Sequence, residues 1–98
     1  MSKPIYRGDA ALVRDLRVCS IHAHNGDEIG LSDRQKVIVR VLRYRVTQRQ
    51  RECLYYYYGR GLTMEQIARM MEVRASTVSR NIQNGVRRIR AALDLIDP

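Results

Sequence analysis

Hydrophobic residues recur at Val78, Ile82, Val86, Ile89 and Leu93, in steps of four, four, three and four. An α-helix turns once in about 3.6 residues, so this spacing places all five on one stripe. It predicts a long helix that starts near Ala75 or Ser76 and runs to about Leu93. Thr77, Arg80, Asn81, Asn84 and Arg88 fall on or near its opposite side. Gly85 interrupts the helix at a cost of ~1 kcal/mol relative to alanine. Either it permits a close helix contact or it is simply tolerated. Just upstream, Ile67, Ala68 and Met71 share one side of a shorter predicted helix, Met64 to Met71. Only Glu72, Val73 and Arg74 separate the two, which makes the connection a tight turn.

Three Ser/Thr-x-x-Gln patterns precede apolar-periodic runs: Ser32 with Gln35, Thr47 with Gln50, and Thr63 with Gln66. In such a capping box the hydroxyl accepts from the backbone N–H three residues on, and the Gln side chain accepts from the cap's own N–H. Each box predicts a helix start. The first decides between helix and strand for Lys36–Val46, whose β-branched residues alone would suit a strand. As a helix it turns Val37, Ile38, Val41, Leu42 and the stem of Arg45 inward. The next helix is expected from about Gln48 to Tyr58, stopped by Gly59 and Gly61, because glycine readily adopts the left-handed helix-ending conformation. The first thirty residues leave alternatives open. Asp9–Val18 suits a short helix with Leu12, Val13 and Leu16 inward. Val18–His24 and Glu28–Leu31 suit a small hairpin around Asn25-Gly26. The expected fold class is therefore all-α: a small helical domain over 32–98 with a C-terminal helix-turn-helix at about 63–93. Residues 1–31 form an N-terminal segment of undecided structure.

Charge adds a partner. The formal net charge is +8, the sequence pI about 10.2, and sixteen of the eighteen basic residues are arginine. Net charge alone says nothing about fold, but here it is clustered. From Val73 to Leu93 there are five arginines and no Asp or Glu. A helix that is apolar on one side and purely basic and polar on the other suits the major groove of double-stranded DNA. Arginine's planar fork of donors also fits phosphates and guanine edges better than lysine does. No apolar run approaches the ~20 residues needed to span a bilayer, and the N-terminus has no signal-peptide apolar segment, so a cytoplasmic protein is expected. No P-loop, H-E-x-x-H or glycine-flanked nucleophile is present, so neither an enzyme nor a cofactor is expected.

The stretch Thr47 to Leu93 resembles region four of bacterial sigma factors. The residues that carry the likeness are the R-E-x-L opening (Arg51, Glu52, Leu54), a G-L-T start (Gly61, Leu62, Thr63) and an E-x-I-A core (Glu65, Ile67, Ala68). An S-T-V-S-R block (Ser76, Thr77, Val78, Ser79, Arg80) and a basic tail complete it. The resemblance implies that Met64–Met71 lies across the DNA backbone and that Ala75–Leu93 enters the major groove. It also implies two partners, a promoter element and the flap of RNA polymerase's large subunit. Residues 1–46 are too short and too poor in aromatics for the other sigma regions, so a complete sigma factor is not expected. A bacterial or phage protein in transcription control is.

Two positions depart from the family pattern. Glu72 stands where the turn usually has Gly, and a left-handed Glu costs ~1 kcal/mol or more. Arg74 stands where a capping Ser is usual, which suggests that Ser76 caps instead and starts the helix two residues late. The expected DNA-contacting residues are Arg74, Ser76, Thr77, Ser79, Arg80, Asn84, Arg87 and Arg88. Thr77, Ser79 and Arg80 are expected at base edges, Ser76 at either a base or the helix cap, and Arg87 and Arg88 at phosphates. Cys19, His22, His24 and Cys53 would suit zinc by residue type, yet their spacing matches no common finger, so no metal is expected. Four consecutive residues of a helix point in four directions. The run Tyr55–Tyr58 is therefore expected to give one or two core rings beside Leu54, not a stacking platform. Three functions fit: a split sigma-type subunit that also engages RNA polymerase, a free-standing dimeric regulator, and a protein-only adaptor or inhibitor of polymerase.

Overall fold

The computed structural model describes residues 10–96 as five α-helices with no strand among them. They are α1 (Ala10–Asn25), α2 (Asp33–Tyr44), α3 (Gln48–Leu54), α4 (Met64–Met71) and α5 (Ala75–Ile96). One π-helical turn, Tyr55–Gly59, continues α3.

All three capping boxes form. Ser32 Oγ accepts from Gln35 N at 3.2 Å and Ser32 N donates to Gln35 Oε1 at 3.1 Å. Thr47 and Gln50 pair in the same way at 3.1 Å in both directions. Thr63 and Gln66 do so at 3.1 and 2.9 Å. Each box satisfies two backbone donors that a helix start leaves unpaired, which sets the first residue of α2, α3 and α4.

The N-terminal region corrects the hairpin alternative. Val18–His24 is the second half of α1, a helix longer than expected; its expected start, Asp9, lies outside the described residues. Leu12, Leu16, Cys19 and Ala23 recur in steps of four, three and four and are all buried. Asn25-Gly26 ends the helix instead of turning a hairpin: Gly26 N and Asp27 N both donate to His22 O, at 2.8 and 3.1 Å. Polar links then hold α1 to α2. Asp15 accepts from Arg34 Nε and Gln35 Nε2, each at 3.2 Å. Arg40 grips Glu28 with two bonds of 3.0 and 3.1 Å, and these hold the Glu28 carboxyl below its usual range.

The core centres on α5. Val78, Ile82, Val86 and Ile89 are completely buried and Leu93 nearly so, the stripe expected from the spacing. α2 packs between α1 and α5, so its buried arc is wide. It takes in Ile38, Val39, Val41 and Leu42, while Val37 is only half-buried and Arg45 is exposed. Leu54 is fully buried, but all four residues of Tyr55–Tyr58 are half-buried, so none is the core ring expected. A π turn holds an extra residue, with Arg60 N donating to Tyr55 O at 2.9 Å. The extra residue spreads the rings around the chain. Tyr55 stacks on His24, centroids 3.8 Å apart. Gly61 is left-handed at φ +71°, as a helix stop should be. Gly59 is not; its role is closeness to α1, since a Cβ there would lie 3.0 Å from Ser20 Oγ.

Gly85 resolves to the close-contact alternative. A Cβ at this position would sit 2.6 Å from Leu54 Cδ1, and Leu54 is fully buried and cannot swing into solvent. Gly85→Ala gains ~1 kcal/mol of helix propensity but overpacks the α3–α5 contact by ~1–3 kcal/mol. The expected outcome is a net loss of about 1 kcal/mol, measured by urea denaturation. A more stable variant would show that Leu54 has room to move.

Candidate nucleic-acid interface

Two short elements position the face of α5. α4 buries Met64, Ile67 and Ala68 and leaves Glu65, Gln66, Arg69 and Met70 outside. The chain then reverses at Glu72, whose φ of 58° and ψ of 45° are left-handed, as its place in the turn implied. Val73 N donates to Ala68 O at 3.0 Å, closing the turn. The apolar Val73 packs against the core.

α5 begins at Ala75, which corrects the expected late start. Arg74 O accepts from Thr77 N at 3.0 Å and from Val78 N at 3.2 Å, so Arg74 takes the cap position through its backbone alone. Ser76 is then the second residue of the helix, not its cap. The reason is tertiary: Val73 anchors the turn and Val78 is buried in the core, leaving no slack for two extra residues. The helix also runs on past Leu93 to Ile96, so Asp94 joins its last turn and only the part up to Leu93 is free of acid.

At about 100° per residue, the outward side of α5 carries Ser76, Arg80 and Arg87 close to one line. Thr77, Asn84 and Arg88 lie on one flank and Ser79 on the other. Arg74, Ser76, Arg80, Arg87 and Arg88 are exposed; Thr77, Ser79 and Asn84 are half-buried. Arg74 is the one that precedes the helix. Three side chains on this surface are tied down. Arg87 Nη1 donates to Asn84 Oδ1 at 3.3 Å, Gln83 Nε2 to Ser79 Oγ at 3.2 Å, and Asn81 Nδ2 to Thr77 O at 3.1 Å. Gln83 was not among the expected contacts, yet it is exposed beside Arg80 and Arg87. Its place three residues after Arg80 in the acid-free run was the signal for it.

With α4, its turn and α5 in this arrangement, comparison gives a family for this segment. Residues 44–91 match the family model described as Sigma-70, region 4. This segment is a sigma region 4-like helix-turn-helix domain. The match starts three residues before Thr47 and ends two before Leu93, so it takes in α3, the π turn, α4 and most of α5. No curated protein and no solved structure matches the chain. Sigma region 4 is a DNA-binding family of transcription and not an enzymatic one. No helix among the described residues is long and apolar enough to cross a membrane.

The four residues of zinc-binding type have other duties. Cys19 Sγ is buried and donates to Gln35 O at 3.6 Å. Burial pushes its thiol up to about 12, with the Asp15 charge adding to the effect. Burial likewise pushes the Cys53 thiol up to about 11, helped by Glu52 and opposed by Arg49. His22 Nδ1 pairs with Asp27 Oδ1 at 2.5 Å, and His24 lies on Tyr55. No group of three or more His, Cys, Asp or Glu able to hold a metal occurs among the described residues.

A left-handed Glu72 strains the turn by ~1–2 kcal/mol. Glycine relieves this but adds freedom to the unfolded chain, worth ~0.4–1 kcal/mol. Glu72→Gly is thus expected to stabilise the domain by about 0.5–1 kcal/mol, visible as a higher thermal midpoint. A lower midpoint would mean that the Glu72 side chain stabilises the turn in a way its backbone geometry does not reveal.

Proposed function

We propose that the chain is a sequence-specific reader of double-stranded DNA in transcription control and acts as a split sigma-type subunit that engages RNA polymerase. The observation that carries this is the outward face of α5: basic or polar at every exposed position from Ser76 to Ala91 except Ala91 itself, and free of acid throughout. Arg74, Ser76, Thr77, Ser79, Arg80, Asn84, Arg87 and Arg88 are its contact set. Arg80 and the residues near the start of α5 meet base edges; Arg87 and Arg88 meet phosphates. The family supports the polymerase partner, since sigma region 4 domains bind both DNA and RNA polymerase.

The dimeric regulator is the second reading, favoured by one feature: Leu95 and Ile96 are exposed at the end of α5 by 85% and 53%. A face continued into a second copy would cover them. The apolar side of α2 gives that reading no support, because α1 and α5 already cover it. Light scattering on the full chain, alone and with core polymerase, separates a monomer that joins polymerase from a symmetric dimer.

Binding should depend steeply on salt. If α5 and its neighbours neutralise about four phosphates, raising salt from ~50 to ~200 mM lowers affinity by about two orders of magnitude. Flat binding across that range, or none to any duplex, would falsify the DNA-reader assignment.

Two substitutions test the placement of α5. Arg80→Ala is expected to relax sequence preference, at ~1–3 kcal/mol of discrimination. Arg88→Ala is expected to weaken specific and random duplexes alike. DNA-binding selection and titration with both variants measure this; equal losses on specific and random DNA from both variants would put α5 elsewhere in the groove.

A further inference from the structure

Gln83 lies one helical turn after Ser79 and three residues after Arg80, and its side chain is exposed. Gln83 Nε2 donates to Ser79 Oγ at 3.2 Å. A free glutamine on a helix surface samples many rotamers, and holding one still costs entropy when it binds. Here the neighbouring hydroxyl already holds it.

The hydrogen-bond inventory then restricts what Gln83 can meet. A glutamine amide has two N–H donors and an oxygen acceptor. One N–H is used by Ser79, leaving one donor and the oxygen of this exposed residue for another partner. That pair complements adenine in the major groove, which offers the N7 acceptor and the N6 amino donor side by side. It does not complement guanine, which offers two acceptors there. Position along the groove agrees with this. Three residues of helix rise span about 4.5 Å, a little more than one base-pair step of about 3.4 Å. Gln83 and Arg80 therefore reach neighbouring base pairs.

We infer that Gln83, held by Ser79, is a specificity-determining residue that reads an adenine in the base pair next to the one met by Arg80. This rests on the proposal that α5 enters the major groove and deepens it by assigning a base preference.

The test is DNA-binding selection from a random duplex library, using the full-length wild type, Gln83→Ala, Gln83→Glu and Ser79→Ala. Circular dichroism of each variant checks that the helices remain; Gln83 is exposed, so the fold is expected to be intact. Wild type should select adenine at one position adjacent to a guanine. Gln83→Ala should lose that preference by about 5- to 150-fold while other positions keep theirs, the ratio equivalent to ~1–3 kcal/mol. Gln83→Glu, which has no N–H to offer N7, should lose adenine at the same position. Ser79→Ala, which removes the tether, should blur that position.

The failures are distinguishable. If wild type selects a defined sequence and Gln83→Ala selects the same one, Gln83 is not a reader although the DNA-binding proposal stands. If Gln83→Ala weakens all positions evenly, its contact is not with a base, and the inference is overturned. If wild type selects no sequence at all, the sequence-specific reading fails together with this inference.

Discussion

The contact of α5 with the rest of the molecule is the constraint on which this fold depends. Four of its residues, Val78, Ile82, Val86 and Ile89, are completely buried, and α2, α3 and α4 all pack on that helix. Gly85 lets α3 approach until Leu54 fills the space a side chain would take. Because the inner stripe cannot rotate without exposing those residues, the outer side of the helix is fixed as well. The orientation of Arg80 and its neighbours follows from hydrophobic burial on the other side of the same helix.

The turn before α5 transmits that constraint. Val73 packs against the core and Glu72 accepts a left-handed backbone, so α5 begins at Ala75. A capping hydroxyl is absent from Arg74, and the backbone carbonyl of that residue takes the first helical bonds instead. Tertiary packing thus outweighs a missing cap worth ~1 kcal/mol. The register of the exposed face is decided by buried residues, not by its own polar chemistry.

α1 extends the core beyond the segment that matches the sigma family. It buries Leu12, Leu16, Cys19 and Ala23 against α2 and the π turn, and it stacks His24 on Tyr55. The tyrosine run is thereby engaged from one side by α1 and is not left as an open aromatic surface. Both cysteines are drawn into the same interior. Burial holds their thiols in the protonated form, which suits packing better than metal binding or redox chemistry.

Much of this molecule was legible in the chain itself. The capping boxes marked the starts of α2, α3 and α4, because a Ser/Thr-x-x-Gln pattern is satisfied locally by backbone groups within three residues. The stripe from Val78 to Leu93 identified the buried side of α5, and with it the exposed Arg80 and Arg88 and the half-buried Asn84 on the other side. The left-handed turn at Glu72 followed from the family resemblance, whose pattern has Gly at that position. What local pattern could not decide were features set by distant neighbours. The hairpin alternative for Val18–His24 fails because Cys19 and Ala23 find a surface on α2 and the π turn. The start of α5 at Ala75 depends on the anchoring of Val73, and the half-burial of Tyr55–Tyr58 depends on a π turn and on α1. The tether between Gln83 and Ser79 needed actual side-chain geometry. Periodicity reports which side of a helix is apolar; only the packed structure determines what lies against it, since burial is a property of pairs of surfaces far apart in sequence.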